Sequence, residues 1–274
     1  MLTHLALWQR YHAPLIAVAA SLALALAARF LRIGLLATAA GGVAVCAGWF
    51  VLTDRLWATP PAPMVDLLGA FAVLALLAGL VSIWLGPGRL AWSGVLLVAV
   101  GGAWLLAGEP HELAALRANW PVNLGVAVGL ALFARVFAPD AFDPLHPALA
   151  GLTLAAALHV AGVPPLWTQL ALVPAVAALA MFALPPVPGT AALPVAADIG
   201  ALGCVVVLSL GRLPRLGFTS VEAAALSPLL AAWLQPRAVA RFARLGQAAP
   251  WAGAVLAGAI AVGCVWLVRQ IASR

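Results

Sequence analysis

The sequence predicts an all-α, polytopic integral membrane bundle of about ten transmembrane helices, arranged as two inverted five-helix repeats. Three observations predict it: an extreme apolar composition, apolar runs of membrane-crossing length between short loops, and a pattern that recurs half a chain later. Hydrophobic residues fill 65% of the 274 positions and charged residues 8%, against about 45–50% and about 25% in soluble domains. Mean hydropathy is +1.11. A soluble fold of this composition would expose far more apolar surface than the roughly few hundred Å² that a monomer tolerates.

With about 20 residues per span and Pro, Gly and charge as punctuation, the first five segments are 13–31, 33–52, 65–86, 91–108 and 122–138. The first follows Arg10 and His12 and imitates a secretion signal, with Ala23-Leu24-Ala25 as its small-residue site. Because the next apolar run opens at once, at Ile33, the segment is read as a retained helix. Asp66 sits where the third segment begins, a helix-cap position. The fifth starts at Pro121 and carries Gly125 and Gly129, small residues that let helix backbones approach closely.

The second five segments are 148–163, 165–184, 190–211, 216–234 and 250–270. The run 148–163 is short: about 16 residues rise about 24 Å against a core of about 30 Å. Pro174 interrupts 165–184 and Ser227-Pro228 interrupts 216–234, each proline freeing a backbone carbonyl that can line a polar cavity. The last segment begins at Pro250 and carries Gly253, Gly258 and Gly263. Trp8, Trp57, Trp84, Trp92, Trp120, Trp167, Trp251 and Trp266 fall near segment ends, where an indole anchors at the headgroup level.

The recurring pattern runs from Asp66 through Arg89-Leu90-Ala91-Trp92-Ser93-Gly94-Val95 to Trp104, and again from Asp198 through Arg215-Leu216-Gly217-Phe218-Thr219-Ser220-Val221 to Trp233. It divides the chain into membrane halves at 1–140 and 141–274, with no soluble domain. An odd helix number per half forces the second copy to insert upside down. Between the halves, Asp140, Asp143 and His146 lie among Pro139, Pro144 and Pro147 and read as a rigid linker.

All fourteen basic residues are arginine, and the net charge is +6. The arginines are scattered through loops rather than set in a stripe, which excludes a nucleic-acid surface. Arg29, Arg32, Arg89, Arg135, Arg237, Arg241 and Arg244 fall on one side of the bundle. Arg10, Arg55, Arg117, Arg212, Arg215, Arg269 and Arg274 fall on the other, so the positive-inside rule returns a tie. Arg237, Arg241 and Arg244 form a basic face along the headgroups. Cys46, Cys204 and Cys264 stand alone in apolar runs, with no metal-ligand or disulfide spacing.

Ionisable groups at membrane depth need a partner or a purpose. Asp198 and Glu222 each lie about eight residues into antiparallel neighbours, within about 10 Å in depth at about 1.5 Å per residue. Facing one cavity, they are candidate proton carriers; capping a helix, or meeting Arg212 or Arg215, they are structural. His159 is the one histidine deep in a segment, without a second histidine at the depth a haem would need. Thr168 and Gln169 stand at a candidate mouth, and Pro174 and Pro228 are candidate hinges. No nucleophile elbow, zinc motif or phosphate loop is present.

The expected function is therefore a noncatalytic one, a secondary transporter of a small, weakly polar or amphipathic solute with the proton as candidate coupling ion. Asp198, Glu222, His159, Thr168 and Gln169 form its pathway. No cofactor or metal is expected. The expected partners are membrane lipids, the solute, and copies of the chain or other membrane subunits, in a bacterial inner membrane. One alternative is a noncatalytic membrane subunit or assembly factor. The other is an intramembrane lipid-modifying enzyme or flippase.

Overall fold

The computed structural model describes residues 2–53, 73, 77, 112, 114, 145–182 and 220–273. Among these there is no strand, and the chain runs through six α-helices and one 3-10 helix. They are α1 (Leu2–Leu31), α2 (Gly34–Thr53), α3 (Leu145–Ala161), α4 (Pro165–Phe182), α5 (Ser220–Arg241), the 3-10 segment η1 (Ala243–Ala248) and α6 (Ala249–Ala272). Two stretches, His12–Leu31 and Ala243–Ala272, are long and apolar enough to cross a membrane; Ala39–Thr53, Ala148–Ala161 and Pro165–Ala180 are apolar but shorter. The segments 65–86, 91–108, 122–138 and 190–211, on which the ten-helix count and the repeat depend, lie almost wholly outside the described residues.

Three hairpins pack in a row. α1 pairs with α2, α3 with α4, and α5 with α6; α4 lies against α1 and α2, and α3 lies against α5 and α6. The α3–α4 hairpin is thus the centre, with one pair on each flank. Alanine lets the helices meet closely: Ala13, Ala17, Ala44, Ala157, Ala171, Ala177, Ala224 and Ala225 are buried together around Trp49, Leu154, Leu158 and Leu170. α1 is built into this core, burying Ala13, Ala17, Ser21, Ala25 and Ala28.

Local chemistry sets the helix ends. α3 stops at a Schellman turn: Gly162 takes φ +81, its N–H donates to the His159 carbonyl at 3.0 Å, and the Val163 N–H donates to the Leu158 carbonyl at 3.1 Å. Only glycine enters that left-handed region without steric cost. α4 then starts on Pro165, and α6 has Pro250 in its first turn, a helix position whose N–H would be unpaired in any case. α1 ends by a similar turn, with the Ile33 N–H donating to the Ala28 carbonyl at 3.1 Å. There the left-handed residue is Arg32, at φ 55.

Two helices run past the ends of their sequence segments, 13–31 and 216–234, and through a proline. α1 begins at Leu2 and passes through Pro14, and α5 continues through Pro236 to Arg241. Packing against neighbouring helices compensates for the one hydrogen bond a proline removes. Trp167 is only 9% exposed and belongs to the core, so it fills space between helices instead of anchoring a helix end at a membrane surface.

Candidate functional site

The two hinge prolines meet different fates. A proline at position i leaves the carbonyl of residue i−4 without its helical donor. Pro174 does this to Leu170, and the indole Nε1–H of Trp49, on α2, donates to that same carbonyl at 3.1 Å. Pro228 does it to Ala224, and the Ser227 hydroxyl one residue before the proline donates there at 2.7 Å. Both carbonyls are thus taken up inside the fold. The sequence expectation that they line a polar cavity is corrected: a buried acceptor without a donor is costly, and each has recruited one.

Chain direction sorts the remaining candidates. Ser21 on α1 donates to the Ala177 carbonyl of α4 at 3.2 Å. A Cβ added to Gly48 of α2 would stand 2.6 Å from Val173 and 3.2 Å from Ala17. α1 and α4 therefore run parallel and α2 against them. A Cβ on Gly253 would meet the Val239 backbone N at 2.6 Å, and one on Gly258 would meet Thr153 Oγ1 at 2.8 Å, so α5 opposes α6 and α6 follows α3. Gly263, by contrast, has nothing within 4 Å of its added Cβ.

This topology gathers His159, Thr168, Gln169 and Glu222 at one end of the bundle. His159 is exposed in the last turn of α3, and Thr168 and Gln169 are half-buried in the opening turns of α4. Glu222, also half-buried, lies in the first turn of α5 as described from Ser220. Thr168 Oγ1 is buried and finds no hydrogen-bond partner among the described residues. Asp198, and with it the paired-carboxylate arrangement, lies outside the described residues. At this end the Arg269 guanidinium donates to the Val160 carbonyl, capping α3 with positive charge where its dipole is negative.

About two turns further along α5, a crevice opens between α3, α5 and α6. Its enclosed space is about 10 Å³, and it is lined by Leu149, Thr153, Pro228, Ala231, Gln235 and Ala257 among others. Among the described candidate pathway residues and hinges, Pro228 alone reaches it. Its polar groups are the Thr153 hydroxyl and the Gln235 amide, neither singled out from sequence. A signal was present: 228, 231, 232 and 235 follow the i, i+3, i+4, i+7 spacing of one helix face. The enclosed space is room for about one water, far below the roughly 300–1,000 Å³ of a typical ligand pocket, so the crevice is closed to a solute unless α5 shifts. Comparison with protein-family models, with curated proteins and with solved structures finds no match.

Proposed function

We propose that the chain is a membrane-embedded secondary transporter of a small, weakly polar or amphipathic solute, built as about ten helices in two inverted halves and working in a bacterial inner membrane. The observation that carries this reading is the crevice between α3, α5 and α6. Closed to about one water as it stands, it would open by a shift of α5; its small apolar walls would then meet an alkyl part, and the Gln235 amide and the Thr153 hydroxyl one polar group. One wall is a proline-bearing helix whose freed carbonyl is already paired with Ser227, so α5 can shift without exposing a bare acceptor. Glu222, with Asp198, is the candidate proton carrier. The reading requires no cofactor or catalytic group.

The test is uptake into proteoliposomes, under an imposed pH gradient, of radiolabelled short alkyl alcohols, amides and amines. Ala231→Phe fills the crevice and abolishes uptake, and Gln235→Leu weakens it for amides and alcohols alike. Asp198→Asn and Glu222→Gln remove its pH dependence. Uptake no greater than in empty liposomes for every compound sinks the proposal.

A second reading, a noncatalytic membrane subunit or assembly factor, is favoured by a different observation. α6 presents Val255, Ile260, Trp266, Leu267 and Ile271 outward, a face suited to another membrane helix as well as to lipid. Under that reading a crosslinker at Trp266 captures a protein chain, and the crevice-filling variant is without effect.

A further inference from the structure

The end of the bundle opposite His159 has a different chemistry. Arg237, Arg241 and Arg244 are exposed along the last turns of α5 and into η1, and Arg29 and Arg32 are exposed where α1 turns into α2. None of the five forms an ion pair among the described residues. The Arg237 guanidinium carbon stands 4.2 Å from the ring centroid of Trp233, and its Nη1 donates to the Trp233 carbonyl at 3.2 Å. Trp233 is 59% exposed and Leu245 53%; on the other flank, Phe30 is 84% exposed beside Leu31 and Ile33. Cations and large apolar side chains therefore stand at one level on both flanks of the central hairpin. A soluble anion would call for a single concave cluster. Two separated clusters at equal height, each mixing guanidinium with aromatic or aliphatic surface, fit a plane of phosphates above hydrocarbon.

We propose that this end docks the anionic phospholipid headgroups of the cytoplasmic leaflet, with phosphates held by Arg237, Arg241 and Arg244 beside Trp233 and by Arg29 and Arg32 on the opposite flank. The proposal rests on the chain crossing a membrane, and it is independent of transport. Arginine pairs with phosphate through a planar fork of donors. Although the arginines of the whole chain balance, among the described residues this end holds five against Arg10 and Arg269 at the other, an excess that favours the cytoplasmic side. Arg32 occupies a left-handed position that glycine would fill without steric cost, which keeps a guanidinium at the turn.

The test uses the purified full chain in lipid nanodiscs of phosphatidylcholine, alone or mixed with phosphatidylglycerol, followed by tryptophan fluorescence on heating. The anionic lipid raises the melting temperature of the wild type, and high salt removes the shift. R237Q/R241Q/R244Q loses the shift while R237K/R241K/R244K keeps most of it. Inorganic phosphate added to phosphatidylcholine discs gives no shift; an equal shift there assigns a free-anion site and overturns the proposal, as does an undiminished shift in the glutamine variant. A glutamine variant that fails to fold leaves the salt and phosphate arms to decide. Orientation is read with Cys46, Cys204 and Cys264 replaced by alanine and a single cysteine introduced by L245C or S273C. An impermeant maleimide labels L245C in inverted vesicles only and S273C in spheroplasts only. The reverse pattern overturns the leaflet assignment. Labelling of both positions in both preparations shows instead that the chain does not span.

Discussion

The flank built from α1, α2 and α4 and the flank built from α3, α5 and α6 answer the same problem differently. Each contains a helix broken by an internal proline and each must supply a donor to the carbonyl left behind. On the first flank the donor is Trp49, fully buried and 121 residues away in sequence from Leu170. On the second it is Ser227, three residues from Ala224 on the same helix. A long-range donor ties two helices into one body, because neither can slide without breaking the bond. A local donor travels with its helix. The first flank is thus cross-braced through its proline, whereas on the second the Arg269 bond ties α6 to α3 and α5 keeps the bond at its own proline under displacement, and the crevice lies beside α5.

Four sets of variants test that contrast by thermal unfolding in detergent. Trp49→Ala has the largest effect, about 3–5 kcal/mol of lost stability, because it removes a wholly buried indole. A loss no larger than that of an exposed tryptophan such as Trp266→Ala would remove the brace from the first flank. Trp49→Phe keeps most of the packing but strands the Leu170 carbonyl, at a cost of about 1–3 kcal/mol. Adding Pro174→Ala restores a backbone N–H and recovers much of that loss. Additive losses in this cycle mean that the indole and the proline are unrelated.

On the second flank Gly253→Val drives a side chain into the Val239 backbone and costs about 1–3 kcal/mol, with α5 moving away from α6. Ser227→Ala costs about 1 kcal/mol, less than Trp49→Phe, and Pro228→Ala removes the penalty. If Ser227→Ala proves as damaging as Trp49→Phe, the two flanks are equally braced. The smallest change has the opposite sign: Arg32→Gly relieves the left-handed strain and adds about 1 kcal/mol, at the expense of the lipid-dependent shift.

Apolar length and punctuation made most helix limits legible. The segments 33–52, 165–184 and 250–270 match α2, α4 and α6 to within about two residues, because Gly, Pro and charge close helices through local backbone chemistry. Segment 148–163 is α3 shifted by a few residues, its end fixed at Gly162. The limits differ most where a helix runs on through polar residues, before Ala13 in α1 and past Leu234 through Pro236 in α5. The site was less legible. That Pro174 and Pro228 would free carbonyls follows from sequence; that Trp49 would close one of them does not, since nothing near residue 49 refers to residue 170. Gln235 falls one residue past the end of segment 216–234, where an amide reads as part of a loop.

The cap on α3 also has a bearing on biosynthesis. The carbonyl at Val160 is closed by Arg269, 109 residues later. As the chain leaves the ribosome, the Schellman turn can close the Leu158 and His159 carbonyls at once, whereas the Val160 carbonyl waits until α6 has been made and packed alongside. The order of synthesis thus makes α6 a late seal on the middle of the protein: a chain released before Arg269 keeps one acceptor on α3 without its guanidinium donor.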